Sequence, residues 1–150
     1  MAKRTRVVVL SLGTLIVLTA ATAVALLLSD KLLDGRHAKA DAFPTGKEAK
    51  ETRHTLPRWL PDDATNVKWN WKTTDDERML KAVLPSASLP TTCTALKSSA
   101  TAPVPDVKSD WFPDDAAGKA TARCDGGYYA YLDGTTLIAW LNQDDARTAP

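Results

Sequence analysis

The chain has only two histidines, His37 and His54, and none from Trp59 onward. Without an imidazole there, a Ser-His-Asp or Cys-His nucleophile has no base. G-x-S-x-G, S-x-x-K and H-E-x-x-H are all absent, and the seven glycines never gather into a phosphate-cradling loop. From Trp59 to the end Glu77 is the only glutamate, and it falls in a predicted turn. Paired-carboxylate hydrolysis would then depend on turn aspartates in a domain too small to wall off a substrate. Basic charge is scarce too: residues 59–145 hold 8 Lys and Arg against 13 Asp and Glu, a net −5. Nucleic acid and anionic lipid surfaces both call for a basic face that this stretch lacks. No catalysis, no nucleic-acid binding and no cofactor are expected.

Cysteine is equally sparse, with Cys93 and Cys124 alone. No C-x-x-C or Cys/His spacing suggests zinc or redox work. An even count in a small exported domain points to one disulfide rather than two buried thiols. It would close a loop of about 32 residues, worth roughly 3–4 kcal/mol in the chain-entropy treatment.

Against these absences stands one long apolar run, Val7 to Leu28, which has 22 residues and no charge or proline. That length crosses the hydrocarbon core as a helix. It exceeds the roughly 7–15 residues of a signal-peptide core. The small-x-small cleavage candidates, Ala38-Lys39-Ala40 and Ala40-Asp41-Ala42, lie far beyond it. An uncleaved signal anchor is the expectation, with a removable leader as the alternative. Lys3, Arg4 and Arg6 precede the run with no acid among them, which favours a cytoplasmic N-terminus in the plasma membrane and the rest outside.

Residues 29–58 mix charges of both signs around Pro44 and Gly46 and read as a polar stalk. Within it "KEAKETRH" suggests two turns of surface helix. The domain is expected over residues 59–143, with 144–150 as a tail. In "NVKWNWKT", Val67, Trp69 and Trp71 alternate with Lys68, Asn70 and Lys72, the pattern of a half-buried antiparallel strand. "RMLKAVLP" returns with Leu80, Ala82 and Leu84 on one face, completing a hairpin. A long Ala/Ser/Thr/Pro-rich loop follows, with one helical turn near Cys93. "ATARC", "YYAYL" and "TLIAWLN" then form a three-stranded meander from Thr121 to Asn142, its "DGG" and "DGT" links suggesting type I′ turns. The fold class is mainly β, or α+β: a small antiparallel sheet of about five strands pinned by one disulfide.

Four acidic pairs, Asp62-Asp63, Asp75-Asp76, Asp114-Asp115 and Asp144-Asp145, sit where turns and caps use aspartate, and no D-x-D-x-D-G calcium loop accompanies them. "LPTTC", Leu89 to Cys93, looks like a sortase recognition sequence or the segment around a sortase nucleophile. It ends in Cys, no apolar tail follows, and proline stands where the nucleophile segment has leucine. A proline-opened turn carrying a disulfide partner is the expectation.

Near-identical hexamers occur twice: "WLPDDA" (Trp59, Pro61, Asp62) and "WFPDDA" (Trp111, Pro113, Asp114). Each combines an aromatic anchor, a stiff exit and an Asp suited to capping a helical turn, so one corner device used twice, each copy leading a strand into the sheet, is expected. A shared origin is the alternative. Trp69, Trp71, Tyr129 and Tyr131 form the candidate interaction surface, weighed against the need of a small domain to build its core from aromatics.

The span, the stalk, "RWLPDDATNV", "LPTTC" and "WFPDD", with a cysteine before a Gly-Tyr hairpin, resemble a group of small membrane-anchored exported proteins of high-GC Gram-positive (actinobacterial) type. That resemblance implies placement at the cell envelope and carries no activity. An interaction or accessory role toward an envelope protein is the leading expectation. A cell-wall glycan-binding module is the alternative, and a small hydrolase or metal-binding domain a more remote one.

Overall fold

The computed structural model describes residues 37–97, 102–105 and 107–146. The predicted span, its basic flank and residues 147–150 lie outside the described residues. Among those described, no helix is long and apolar enough to cross a membrane.

Seven strands form one antiparallel sheet: β1 Ala38–Thr45, β2 Thr65–Lys72, β3 Arg78–Val83, β4 Thr94–Ala95, β5 Ala122–Cys124, β6 Tyr128–Asp133 and β7 Thr136–Leu141. Their spatial order is β1-β2-β3-β7-β6-β5-β4. Three short helices accompany them, α1 Gly46–Thr52, α2 Ala116–Lys119 and α3 Gln143–Ala146. The β2–β3 hairpin and the β5–β6–β7 meander stand where the alternation placed them. The two strands beyond the expected five are β1, taken from the stalk, and β4, taken from the long loop.

The stalk assignment is therefore corrected from residue 38 onward. β1 pairs along the whole of β2, from Ala38 opposite Lys72 to Thr45 opposite Thr65. Pro44 fits because an edge strand leaves one side of its backbone unpaired. Arg53 reaches back to ion-pair with Asp41 and lies 4.6 Å over the Trp71 ring, fastening the segment to the sheet. α1 is more than a surface turn, since Ala49 is fully buried. The Thr45 hydroxyl caps it by accepting the Glu48 N–H at 3.2 Å.

What α1 packs against is the first hexamer. Gly46 N–H donates to the Ala64 carbonyl at 2.8 Å and Lys47 N–H to that of Asp62 at 3.0 Å. Lys50 Nζ sits 2.6 Å from both the Leu60 carbonyl and the Asp62 carboxylate. In both hexamers the final alanine N–H donates to the proline carbonyl three residues back, at 3.2 Å in each. The turn is thus the same twice, but the two copies close opposite faces of the sheet. Leu60 and Ala64 join the cluster of Val67, Trp69, Leu80 and Leu137. Ala116 joins Met79, Tyr129, Tyr131, Ile138 and Trp140, with Trp111 and Phe112 packed against them. The second copy enters α2 rather than a strand, and Asp115 at its start makes no side-chain cap bond.

The second face is therefore covered at Asn70 and Lys72, and the half-buried reading of β2 is corrected there, while Lys68 on that face stays exposed. One row across the sheet runs Trp69, Leu80, Ala139, Ala130, Ala122. The adjacent row, on the other face, runs Asn70, Met79, Trp140, Tyr129. An arm formed by residues 102–105 and 107 onward lies over that second face. Trp140 Nε1 donates to the Pro103 carbonyl at 2.7 Å, and Asn142 Nδ2 to that of Val104 at 3.2 Å. The carboxylate of Glu77, only 2% exposed, accepts the Val107 N–H at 3.2 Å and pairs with Lys72 at 3.2 Å. Glu77 is indeed beside a turn, but its side chain belongs to the interior.

Smaller revisions follow from the backbone. Gly134, with φ of 60°, is the only described β6–β7 loop residue at positive φ, which gives the II′ pattern rather than I′. At Cys93 there is a turn, closed by its N–H to the Pro90 carbonyl at 2.9 Å, and no helix. The expected tail begins with α3, whose Asp144 N–H is accepted by Asn142 Oδ1 at 3.0 Å.

Candidate functional site

Cys93 and Cys124 form the expected disulfide. It joins the turn after Pro90 to the end of β5, and beside it opens a groove of about 510 Å³. Its walls come from three stretches that the disulfide and the first hexamer bring together. Thr55, Leu56, Pro57, Arg58 and Trp59 supply the first, Thr92 the second, and Asp125, Gly126 and Tyr128 the third. Thr92 and Asp125 each adjoin a disulfide cysteine in sequence, so the bridge sets the spacing of the second and third.

Trp59 is held in a fixed plane. Its Nε1 donates to the Asp125 carbonyl at 2.9 Å, and its ring meets Tyr128 edge-on at 5.7 Å and 78°. Such an edge-to-face pair has a preferred geometry and resists tumbling. Gly126 follows with φ of 76°, a left-handed conformation that turns the chain after Asp125 at little cost only for glycine. Burial holds the Tyr128 hydroxyl well above the usual tyrosine value, with the charge of Arg78 pulling weakly the other way. Tyr128 therefore serves the groove as a neutral aromatic wall.

Around this apolar floor the rim is polar. Among the described residues, Thr55, Thr92 and the Asp125 carboxylate make no hydrogen bond or ion pair of their own. The Arg58 guanidinium is exposed, donating to the Lys50 carbonyl at 3.2 Å and lying 3.5 Å from His54 Nδ1. Because the domain begins at β1, His54 is part of it after all. It stands behind Arg58 and does not line the groove.

The aromatic sheet face expected to bind a partner is not formed. Trp69 is fully buried, Tyr129 and Tyr131 are 6% and 5% exposed, and Trp71 is half-buried beneath Arg53. Period-two alternation also puts the tryptophans on one face and these tyrosines on the other. Trp111 packs at the second corner, the Pro113 carbonyl accepts the Ala116 N–H there, and Asp114 is exposed. Among the acidic pairs, Asp62 bonds Lys50, which lowers its pKa. Asp75 Oδ1 accepts the Glu77 N–H at 3.0 Å, Asp76 pairs with Arg78, and Asp115 with Lys119. No three His, Cys, Asp or Glu among the described residues stand together as a metal-holding group.

Of the candidate site residues named from the sequence, only Trp59 lines the groove. Arg58, Thr92, Asp125 and Tyr128 were not among those candidates, although two of them flank the cysteines. The chain matches no known protein family, no curated protein and no solved structure.

Proposed function

We propose that this chain is a membrane-anchored, extracytoplasmic interaction domain of the cell envelope, and that it binds through the Trp59 groove. The observation that carries the binding site is the fixed indole of Trp59 beneath a rim that holds the unengaged side chains of Thr55, Thr92 and Asp125. Pockets of several hundred cubic ångströms with an apolar lining and a few directed polar groups are the usual shape of a ligand site. Its polar groups are two hydroxyls, a guanidinium and a carboxylate, a set suited to holding rather than transforming.

Support for the placement comes from Val7–Leu28, the Lys3, Arg4 and Arg6 cluster and the disulfide. The fold adds a reason for the anchor to stay attached. Both small-x-small sites lie inside β1, so cleavage after Ala40 or Ala42 would divide a strand paired with β2 from Ala38 to Thr45. The resemblance to small envelope proteins of high-GC Gram-positive bacteria fits the same reading.

A tagged full-length chain and its Arg58→Glu/Asp125→Lys variant, crosslinked in native membranes and recovered, test the proposal. An envelope component recovered with the first and lost with the second is expected. Equal recovery by both, or bait alone with both, would remove the groove as the binding site.

A further inference from the structure

We infer that the groove's occupant is a saccharide bearing a carboxylate, a deepening that rests on the binding role proposed above. Three features of the rim and floor lead there. First, the Trp59 ring plane is set by its Asp125 and Tyr128 contacts, so it offers a rigid apolar platform. A pyranose presents a patch of C–H groups on one ring face that stacks on such a surface with little ordering cost. Second, Thr55, Thr92 and the Asp125 carboxylate are unengaged. A carboxylate accepts from two neighbouring hydroxyls at once, and a threonine hydroxyl both donates and accepts, which matches the alternating donors and acceptors of a sugar ring. Third, Arg58 supplies the one cation lining the groove among the described residues, and guanidinium groups bind carboxylates through paired N–H bonds.

A peptide segment fits less well. The sheet edge that follows Thr92 is β4, which is two residues long. An extended peptide adding to a sheet edge gains its affinity from a run of backbone bonds, and two residues supply too few. The groove also spans far less surface than a folded protein partner covers. Small size, hydroxyl-rich rim and a single fixed indole all point to a ligand of one or two sugar rings.

The test uses the full chain in nanodiscs, with the Trp59 indole N–H followed by NMR. The probes are hexuronic-acid disaccharides, their neutral hexose counterparts, and short acidic peptides. The hexuronides should shift the Trp59 and Gly126 signals and bind on the order of tenfold more tightly than the neutral sugars. Arg58→Gln should abolish that preference, so that hexuronides bind no more tightly than neutral sugars. Asp125→Asn should weaken both sugars. Both changes are at exposed side chains, so an unaltered thermal midpoint will show that folding is intact. Equal binding of acidic and neutral sugars, unaffected by Arg58→Gln, would overturn the carboxylate. Peptides shifting the groove where sugars do not would overturn the saccharide and leave the binding role standing. Failure of every probe to move Trp59, together with groove-independent recovery in the crosslinking experiment, would end both.

Discussion

Gly46 stands so close to Pro61 that a Cβ placed on it would overlap the Pro61 carbonyl oxygen. The first helix and the first Trp-Leu-Pro-Asp-Asp-Ala corner are thus in backbone contact, joined by the hydrogen bonds from Gly46 and Lys47. Gly46→Ala should therefore cost at least the ~1–3 kcal/mol of an overpacked core site. Gly118, in α2, has open space around its missing side chain, and Gly118→Ala should be neutral or stabilise by up to ~1 kcal/mol. Urea midpoints of the two variants compare them directly. Similar midpoints would mean that residues 38–58 are not part of the folded unit.

Glu77 carries a comparable prediction on the opposite face. Replacing it with alanine leaves the Lys72 ammonium without its closer carboxylate, the other being Asp75 at 3.6 Å, and the Val107 N–H without an acceptor. Loss of one partner from a buried ion pair costs about 3–5 kcal/mol. Glu77→Gln keeps an acceptor for Val107 and should cost less. A loss below ~1 kcal/mol for alanine, by chemical denaturation, would show that Glu77 does not hold the arm.

Trp69 and Trp71 separate core from rim. Trp69→Ala should cost about 3–5 kcal/mol, the usual loss for emptying a large aromatic site. The Trp69 indole N–H has no hydrogen-bond acceptor among the described residues. Trp69→Phe removes that orphan as well as volume, so its cost should be much smaller. Trp71→Ala should lose about 1 kcal/mol with the Arg53 contact above it. An unchanged midpoint for Trp69→Ala would restore it as a surface residue.

Tyr128 makes the alkaline limb of the stability profile diagnostic. Its folded pKa lies above the unfolded value of 10.0 because burial disfavours the phenolate. Above pH 10 the folded state keeps a proton that the unfolded state has lost. The stabilisation is complete below that pH and declines as pH rises toward the folded value. Tyr128→Phe should flatten the decline, and absorbance titrations of the phenolate band in the parent and in that variant should differ by one tyrosine that resists ionisation until unfolding, Tyr131 also being raised by burial. Normal titration of all three tyrosines in the folded chain would contradict the buried wall of the groove.

Much of the sheet was legible because alternation is a local signal. Leu80, Ala82 and Leu84 share a buried face as read, and the three C-terminal strands lie where their turn residues divide them. β1 was missed because "AKADAFPT" is an edge strand, whose exposed residues and proline imitate a linker. A signal was nevertheless present: Thr45 and Glu48 have the capping-box spacing, although only the threonine half of that box is made. The aromatic face was misjudged for a different reason. Alternation assigns a side to each residue, but covering of the second side comes from an arm whose contacts span 30 to 38 residues. The groove was hidden for the same cause, since its residues meet only when the disulfide and the first corner are in place.

The early start of β1 also changes the reach of the domain. Nine residues, 29–37, separate the predicted span from the first strand, where the sequence reading allotted thirty, 29–58. Fully extended, nine residues reach about 30 Å and thirty about 100 Å. With the anchor retained as proposed above, a linker of this length would favour a ligand presented close to the bilayer, and the saccharide proposed for the groove should be sought there first.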